Sequence, residues 1–167
     1  MEKILVSACL AGDLVRYDAR RVPLPDEWLH RLLLKDMVVK SCPEVDGGMA
    51  IPRSPAQIVG GTGDDVLAGR ARVMDDQGVD VTGFFIRGAE SALSAARKFR
   101  IQVALLKEKS PSCGSCEIYD GSFSGRRIPG QGVTAAMLAG HGIKVFPETE
   151  IHACKSFVKQ NYPSLDN

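Results

Sequence analysis

Lys3-Ile4-Leu5-Val6-Ser7-Ala8-Cys9 opens the chain, and four of the six residues from Lys3 to Ala8 are apolar, with Gly12 just beyond. A short apolar run closed by a turn residue is the mark of a buried β-strand. Next, Pro25 to Leu34 sets Trp28, Leu29, Leu32 and Leu33 on one helical stripe, with Pro25 early in the segment where its missing N–H is no loss. Met37-Val38-Val39-Lys40-Ser41 predicts a second strand. Strand, helix, strand is the repeating unit of a parallel sheet, because the chain must cross back before it runs in the same direction again.

The unit recurs. Thr82 is a plausible N-cap for a helix reaching about Phe99, with Phe85, Ala89, Leu93 and Ala96 on its buried side. Ile101 to Leu106 predicts a third core strand, Gly130 to about Gly140 a helix, Ile143 to Phe146 a fourth strand, and Pro147 to Lys159 a closing helix. Between them, Gly47 to Gly63 is rich in Gly and Pro and reads as loop. Leu67 to Met74, Asp75-Asp76-Gln77-Gly78 and Val79 to Val81 read as a hairpin excursion. The expectation is one α/β domain over residues 1–167: a mainly parallel, doubly wound, Rossmann-like sheet with helices on both faces and a small β-hairpin. Strand order is left open.

Composition agrees with a soluble globular domain: 167 residues, 44% hydrophobic, 25% charged, formal net charge +1. That charge gives no basis for binding a nucleic acid polymer, whereas a small nucleobase needs only a pocket. The first residues lack the length and cleavage region of a signal peptide. No stretch nears the roughly 20 apolar residues that cross a bilayer. A cytoplasmic protein with no membrane partner is expected, its oligomeric state undetermined. In a reducing compartment its five cysteines point to metal binding or redox chemistry, not a disulfide framework.

Cys9 directly follows the first strand and Cys42 the second, while Cys113 lies in the loop after the third. Parallel strands end at one edge, where open α/β sheets bind ligands. Any one of these cysteines is adequately explained as a small buried residue; three at one edge predict a site. Thiolates suit zinc, copper(I) and iron–sulfur clusters. Structural zinc wants four closed ligands, and the chain has a single C-x-x-C, Cys113-Gly114-Ser115-Cys116. Three scattered thiols fit a cubane cluster with one iron open; Cys116 as a fourth ligand closes it. Two alternatives stand beside this: a zinc-binding module using Cys9, Cys42, Cys113 and Cys116, and a thiol oxidoreductase using Cys113 and Cys116. The second lacks the following helix that such dithiols use. Cys154 falls in the last helix and reads as packing.

Ser7-Ala8-Cys9-Leu10, Cys42-Pro43-Glu44 with Gly47-Gly48, and Lys107-Glu108-Lys109-Ser110-Pro111-Ser112-Cys113-Gly114 resemble motifs of the thiouracil desulfidase (TudS) family, long catalogued as a domain of unknown function. So do Tyr119-Asp120-Gly121-Ser122-Phe123-Ser124-Gly125 and Gly130-Gln131-Gly132-Val133-Thr134. The resemblance runs from about Lys3 to Glu148. Ala11 stands where a second leucine is usual, and Cys116 lies outside the pattern. The resemblance implies a 4Fe-4S cluster on Cys9, Cys42 and Cys113, with the open iron capturing the sulfur of a thiolated nucleobase. It implies that Glu44 and Ser110 assist hydrolysis of the ring carbon.

The residues make sense of that chemistry. An iron with an open position is a Lewis acid with affinity for soft sulfur. Glu44, two residues past a ligand, is placed to act as base and later as acid; otherwise it is a surface acid or a turn cap. Ser110 orients water or the ring, or belongs with Ser112 to turn chemistry. The long loop from Glu108 to Pro129 brings Tyr119 and Phe123 within range of a planar ring, or Phe123 anchors the loop. Gly130-Gln131-Gly132 opens a helix whose N–H groups suit an anion or carbonyl. Glu148 faces the crevice or sits in a helix's first turn, and Arg53 contacts substrate or ties down its loop. His30, His141 and His152 show no ligand spacing.

Overall fold

All four residues of β1 (Ile4–Ser7) are buried, as its apolar run requires. It lies inside a parallel sheet of order β2-β1-β5-β8, formed with β2 (Val38–Ser41), β5 (Val103–Leu106) and β8 (Lys144–Pro147). The structure is a computed structural model that describes residues 2–20 and 22–166. Helices cover both faces. Ile4, Val6, Val103 and Leu105 pack against Trp28 and Leu29 of α1 (Glu27–Leu34) and against Cys154 and Val158 of α6 (Ile151–Asn161). On the other side, Leu5, Ala104 and Leu106 meet Ala92 and Ala96 of α4 (Thr82–Lys98) and Leu138 of α5 (Val133–Gly140). Burial on both faces is why the inner strands β1 and β5 are buried along their whole length instead of alternating, while the edge strands β2 and β8 expose Lys40 and Lys144.

Two glycines seat the short helix that follows β2. A Cβ at Gly47 would lie 2.1 Å from Phe84 O, and one at Gly88 would lie 1.9 Å from Pro43 O. No side chain fits in either place. Helix α2 (Pro43–Asp46) therefore lies directly on the α4 backbone, which fixes Cys42 and Glu44 at its N-terminus.

The segment from Gly47 to Gly63 is not loop throughout. It contains β3 (Ala56–Val59), which pairs antiparallel with β4 (Arg72–Asp75), and α3 (Gly63–Leu67) connects them. A strand of four residues among Gly and Pro gives too short a pattern to read. The expected return segment Val79–Val81 contributes only a bridge between Met74 and Asp80 and the Val81 N–H to Val73 O bond. Thr82 is the first residue of α4, not its cap. Its hydroxyl accepts from Val73 N–H at 2.9 Å, while Asp80 accepts the Thr82 N–H at 2.9 Å. The stretch from Glu108 to Pro129 includes the hairpin of β6 (Glu117–Tyr119) and β7 (Arg127–Pro129). The closing helix begins later than expected, after a 3-10 turn at Glu148–Glu150.

Asp26, not Pro25, starts α1, accepting from Trp28 N–H at 3.0 Å and Leu29 N–H at 3.2 Å. Its other oxygen takes Lys155 Nζ at 2.5 Å, tying α1 to α6. Burial opposes ionisation of this carboxyl, but Lys155 and the two N–H groups outweigh it and hold it below the ordinary aspartate range. Asp26→Ala is expected to lower stability by about 1–2 kcal/mol in urea unfolding near neutral pH, as for a lost N-cap. A depressed folded-state pKa contributes stability above the ordinary aspartate pKa and loses it as pH falls through the folded value. The difference between variant and wild type should therefore shrink in acid.

Candidate active site

Cys9, Cys42 and Cys113 all line one cleft of about 500 Å³ at the carboxyl edge of the sheet. Cys9 and Cys113 are buried and Cys42 is half-buried. Burial, with the neighbouring Cys42 adding to it, pushes the Cys9 thiol up to about 11. Burial also raises Cys42. It pushes Cys113 up to about 12, against hydrogen bonds from Ser7 and Ser112 and with further upward pressure from Cys9 and Cys42. The three sulfurs thus lie within one another's electrostatic reach. As bare thiolates they would be desolvated and mutually repelling; a cationic core shared among them removes both penalties.

The Cys113 loop is built around a buried carboxylate. Glu108 accepts from the N–H groups of Lys109 at 3.2 Å and of Ser115, Cys116 and Glu117 at 3.1 Å, and from the Ser115 hydroxyl at 3.2 Å. Burial works to raise this carboxyl, but those donors outweigh it and hold it below the usual range. Behind it, Glu148 accepts Glu108 N–H and Lys107 Nζ, each at 2.6 Å. Glu148 is a brace and does not line the cleft. The sequence assigns Glu108 no role, and only its place between Lys107 and Lys109 after a strand sets it apart.

The same loop fills the N-terminus of α5. Val133 N–H donates to Pro111 O at 2.9 Å, Thr134 N–H to Ser112 O at 2.9 Å and Gly132 N–H to Gly114 O at 2.8 Å. A Cβ at Gly132 would lie 2.6 Å from Ser112 O. The Gly130-Gln131-Gly132 turn therefore receives protein carbonyls, and its N–H groups do not face a ligand. The glycine serves close approach of the cysteine loop to the helix.

Glu44 and Ser110 both line the cleft. Arg53 Nε and Nη2 each approach Glu44 Oε2 at 2.6 Å. Glu44 Oε1 faces the Ser112 hydroxyl at 3.4 Å, and that hydroxyl also lies 3.6 Å from Cys113 Sγ. Ser110 Oγ accepts from Ser112 N–H and Cys113 N–H, both at 3.1 Å, which occupies its two lone pairs. Its own proton is then the donor in the 2.9 Å contact with Ser112 Oγ. Ser110, Ser112 and Glu44 form one directional chain beside Cys113. Arg53 ties down its loop and also lines the cleft, the two placements the sequence offers for it, and it reaches Glu44 as well.

Tyr17, Tyr119 and Phe123 supply aromatic walls. The β6–β7 tip is fixed to β3 by Gln57 Oε1, which accepts from Gly121 N–H at 3.1 Å and Phe123 N–H at 3.2 Å. Tyr17, on the long loop after β1, carries no sequence signal for this position.

Cys116 is exposed and does not line the cleft, so neither four-cysteine zinc nor a Cys113–Cys116 dithiol is favoured. Cys154 is fully buried core, as expected. Among the described residues no three His, Cys, Asp or Glu side chains converge tightly enough for a single metal ion. One zinc would require its sulfurs at about 2.3 Å from a common point. A cluster instead spreads its thiolates over separate irons, and three cysteines on the walls of one cleft are the soft donors it takes. The donor set fits a cluster.

The sequence pattern of the 2-thiouracil desulfurase family matches residues 4–150. An uncharacterized protein of Bacillus subtilis (strain 168), YbbK, is 44% identical over 149 residues, covering 89% of this chain and 97% of that protein. A solved structure described as the 4Fe-4S-dependent thiouracil desulfidase TudS superposes with a TM-score of 0.86 at 42% identity, covering 96% of this chain and 99% of that one.

In metal-free protein, iodoacetamide should alkylate exposed Cys116 well before Cys9, Cys113 and Cys154, because burial suppresses both access and thiolate formation. Glu108→Ala should bring Cys113 forward while Cys154 stays slow, as read by peptide mass spectrometry over time.

Proposed function

This chain belongs to the 2-thiouracil desulfurase family, and on that premise we propose that it is a desulfidase removing sulfur from a thiolated pyrimidine base with a 4Fe-4S cluster held by Cys9, Cys42 and Cys113. The observation that carries the assignment of ligands is the presence of those thiols, and of no other cysteine, on the walls of one cleft. When bound, the cluster supplies a Lewis-acidic iron with affinity for thiocarbonyl sulfur.

The remaining chemistry belongs to the chain. Glu44 Oε1 accepts a proton from water as the water oxygen bonds to the ring carbon. Glu44 then returns that proton to sulfur as the carbon–sulfur bond breaks, so sulfur departs with the bonding electron pair as hydrosulfide; Glu44 serves first as base and later as acid. The proton of the added hydroxyl leaves as the new ring carbonyl forms, so thione plus water gives carbonyl plus hydrosulfide and a proton, with no net redox change. Ser110 assists through the Ser110–Ser112–Glu44 chain, which keeps Oε1 directed along the cleft. Tyr119 and Phe123 flank the planar ring and limit bulk water around it.

The partner in this reading is a small thiolated base, not a nucleic acid polymer, consistent with a net charge of +1. No helix among the described residues is long and apolar enough to cross a membrane. Five free thiols, three of them ligands, suit the reducing cytoplasm.

Anaerobic reconstitution should give a brown protein absorbing near about 400 nm, as thiolate-bound iron clusters do, and releasing sulfide from 2-thiouracil. Cys9→Ser, Cys42→Ser and Cys113→Ser should lose iron, while Cys116→Ser keeps it. Glu44→Gln should retain iron and lose about 10²–10⁴ in kcat. Ser110→Ala should also lower kcat. Reconstituted protein without iron, or iron-loaded protein without sulfide release, would overturn the proposal.

A further inference from the structure

Glu44 is held differently at its two oxygens. Oε2 is taken by the Arg53 guanidinium through Nε and Nη2, both at 2.6 Å, and Oε1 is left to Ser112 at 3.4 Å. The guanidinium is itself fixed. Nη1 donates to Ala50 O at 3.2 Å and Nη2 to Val15 O at 3.0 Å, while the Arg53 backbone N–H donates to Tyr17 O at 2.8 Å. Its side chain is 7% exposed and that of Glu44 15%, so this pair is largely shielded from solvent. Val15 O also receives the Cys42 thiol at 3.8 Å, joining the Arg53 anchor to a proposed ligand.

A carboxylate free to rotate about its terminal bond presents either oxygen, in any plane, to a water molecule. One whose second oxygen is clamped presents a single oxygen in a single orientation. A planar guanidinium with several fixed donors imposes such a restriction; the ammonium of lysine, a point charge on a flexible stem, does not.

We infer that Arg53 is a positioning residue for the reaction: it immobilises Glu44 Oε2 and so directs Oε1 toward the cleft. Arg53 also lines the cleft, but its guanidinium is spent on Glu44 and on backbone carbonyls, so it acts through Glu44. A direct grip on the ring would instead show as a raised KM and would overturn the inference. The inference rests on the reading of Glu44 as the group that carries the proton.

The test uses full-length protein reconstituted anaerobically, with Arg53→Ala, Arg53→Lys, Glu44→Gln and the double variant Arg53→Ala/Glu44→Gln. Iron and sulfide content are measured alongside kcat and KM for 2-thiouracil. Arg53→Ala is expected to keep wild-type iron, to lose about 100-fold in kcat, and to move KM by less than about threefold, the pattern of a misdirected catalytic group. Arg53→Lys, which retains charge and stem, should recover only part of kcat. Guanidinium ion added at millimolar concentration should raise kcat of Arg53→Ala but not of the double variant. A crystal structure of Arg53→Ala should show Glu44 Oε1 turned away from Ser112.

Wild-type kcat in Arg53→Ala together with a dead Glu44→Gln would overturn this inference and leave the role of Glu44 standing. Wild-type kcat in both would overturn both. Loss of iron from Arg53→Ala and Arg53→Lys in parallel with kcat would also overturn it, since Arg53 would then be holding up the site as a whole. So would an unmoved Glu44 carboxylate in the crystal.

Discussion

In a parallel sheet every strand finishes at the same edge, and in this protein three strands hand their chain directly or through a short loop to a cysteine. Cys9 follows β1, Cys42 separates β2 from α2, and Cys113 comes after β5. Because β1 lies between β2 and β5, pairing with both, the three exits are neighbours. The hydrogen-bond ladder that stabilises the sheet also gathers the thiols, so the site inherits its dimensions from the spacing of the strands.

Ionising three thiols gathered in a buried cleft is electrostatically unfavourable, and each is raised by burial before its neighbours act. The fold opposes that cost with rigid support. Glu108 is saturated by N–H groups of the cysteine loop, and Glu148 braces the residues before it. Two glycines press α2 against α4. A cavity that disfavours free thiolates and resists relaxing around them is well suited to take up a cationic core, since binding relieves what folding imposes.

Three glutamates close to the site do different work because their partners differ. Glu108 faces backbone donors and shapes a loop. Glu148 faces Lys107 and a backbone N–H and braces it. Glu44 is held by Arg53 at one oxygen and by a hydroxyl at the other, with the cleft beside it. Of the three, Glu44 alone keeps hydrogen-bonding capacity that the fold does not exhaust, which is what the proposed role in proton transfer requires. The same count distinguishes Ser110, whose lone pairs are spent on the loop, from Ser112, whose hydroxyl meets Glu44 and Cys113.

The apolar runs at Lys3–Ala8, Met37–Ser41, Ile101–Leu106 and Ile143–Phe146 determined the parallel sheet by themselves, because the inner strands β1 and β5 are buried throughout and even the edge strands β2 and β8 keep short apolar stretches. The cysteines after three of them were legible for the same reason: strand direction alone puts their ends on one edge. Strand β3 was not legible, since four residues amid Gly and Pro carry no period. Nor was the bond of the Thr82 hydroxyl with Val73 N–H, which depends on how β4 meets α4. The clamp of Arg53 on Glu44, the anchoring role of Glu108, and the exclusion of Cys116 from the cleft belong to tertiary structure alone. Sequence spacing ranks Cys116 as the closest companion of Cys113, but side-chain direction places it outside and brings Arg53, Glu44 and Ser112 together from distant segments. Local pattern records what each segment must bury; only packing decides which polar groups then find one another.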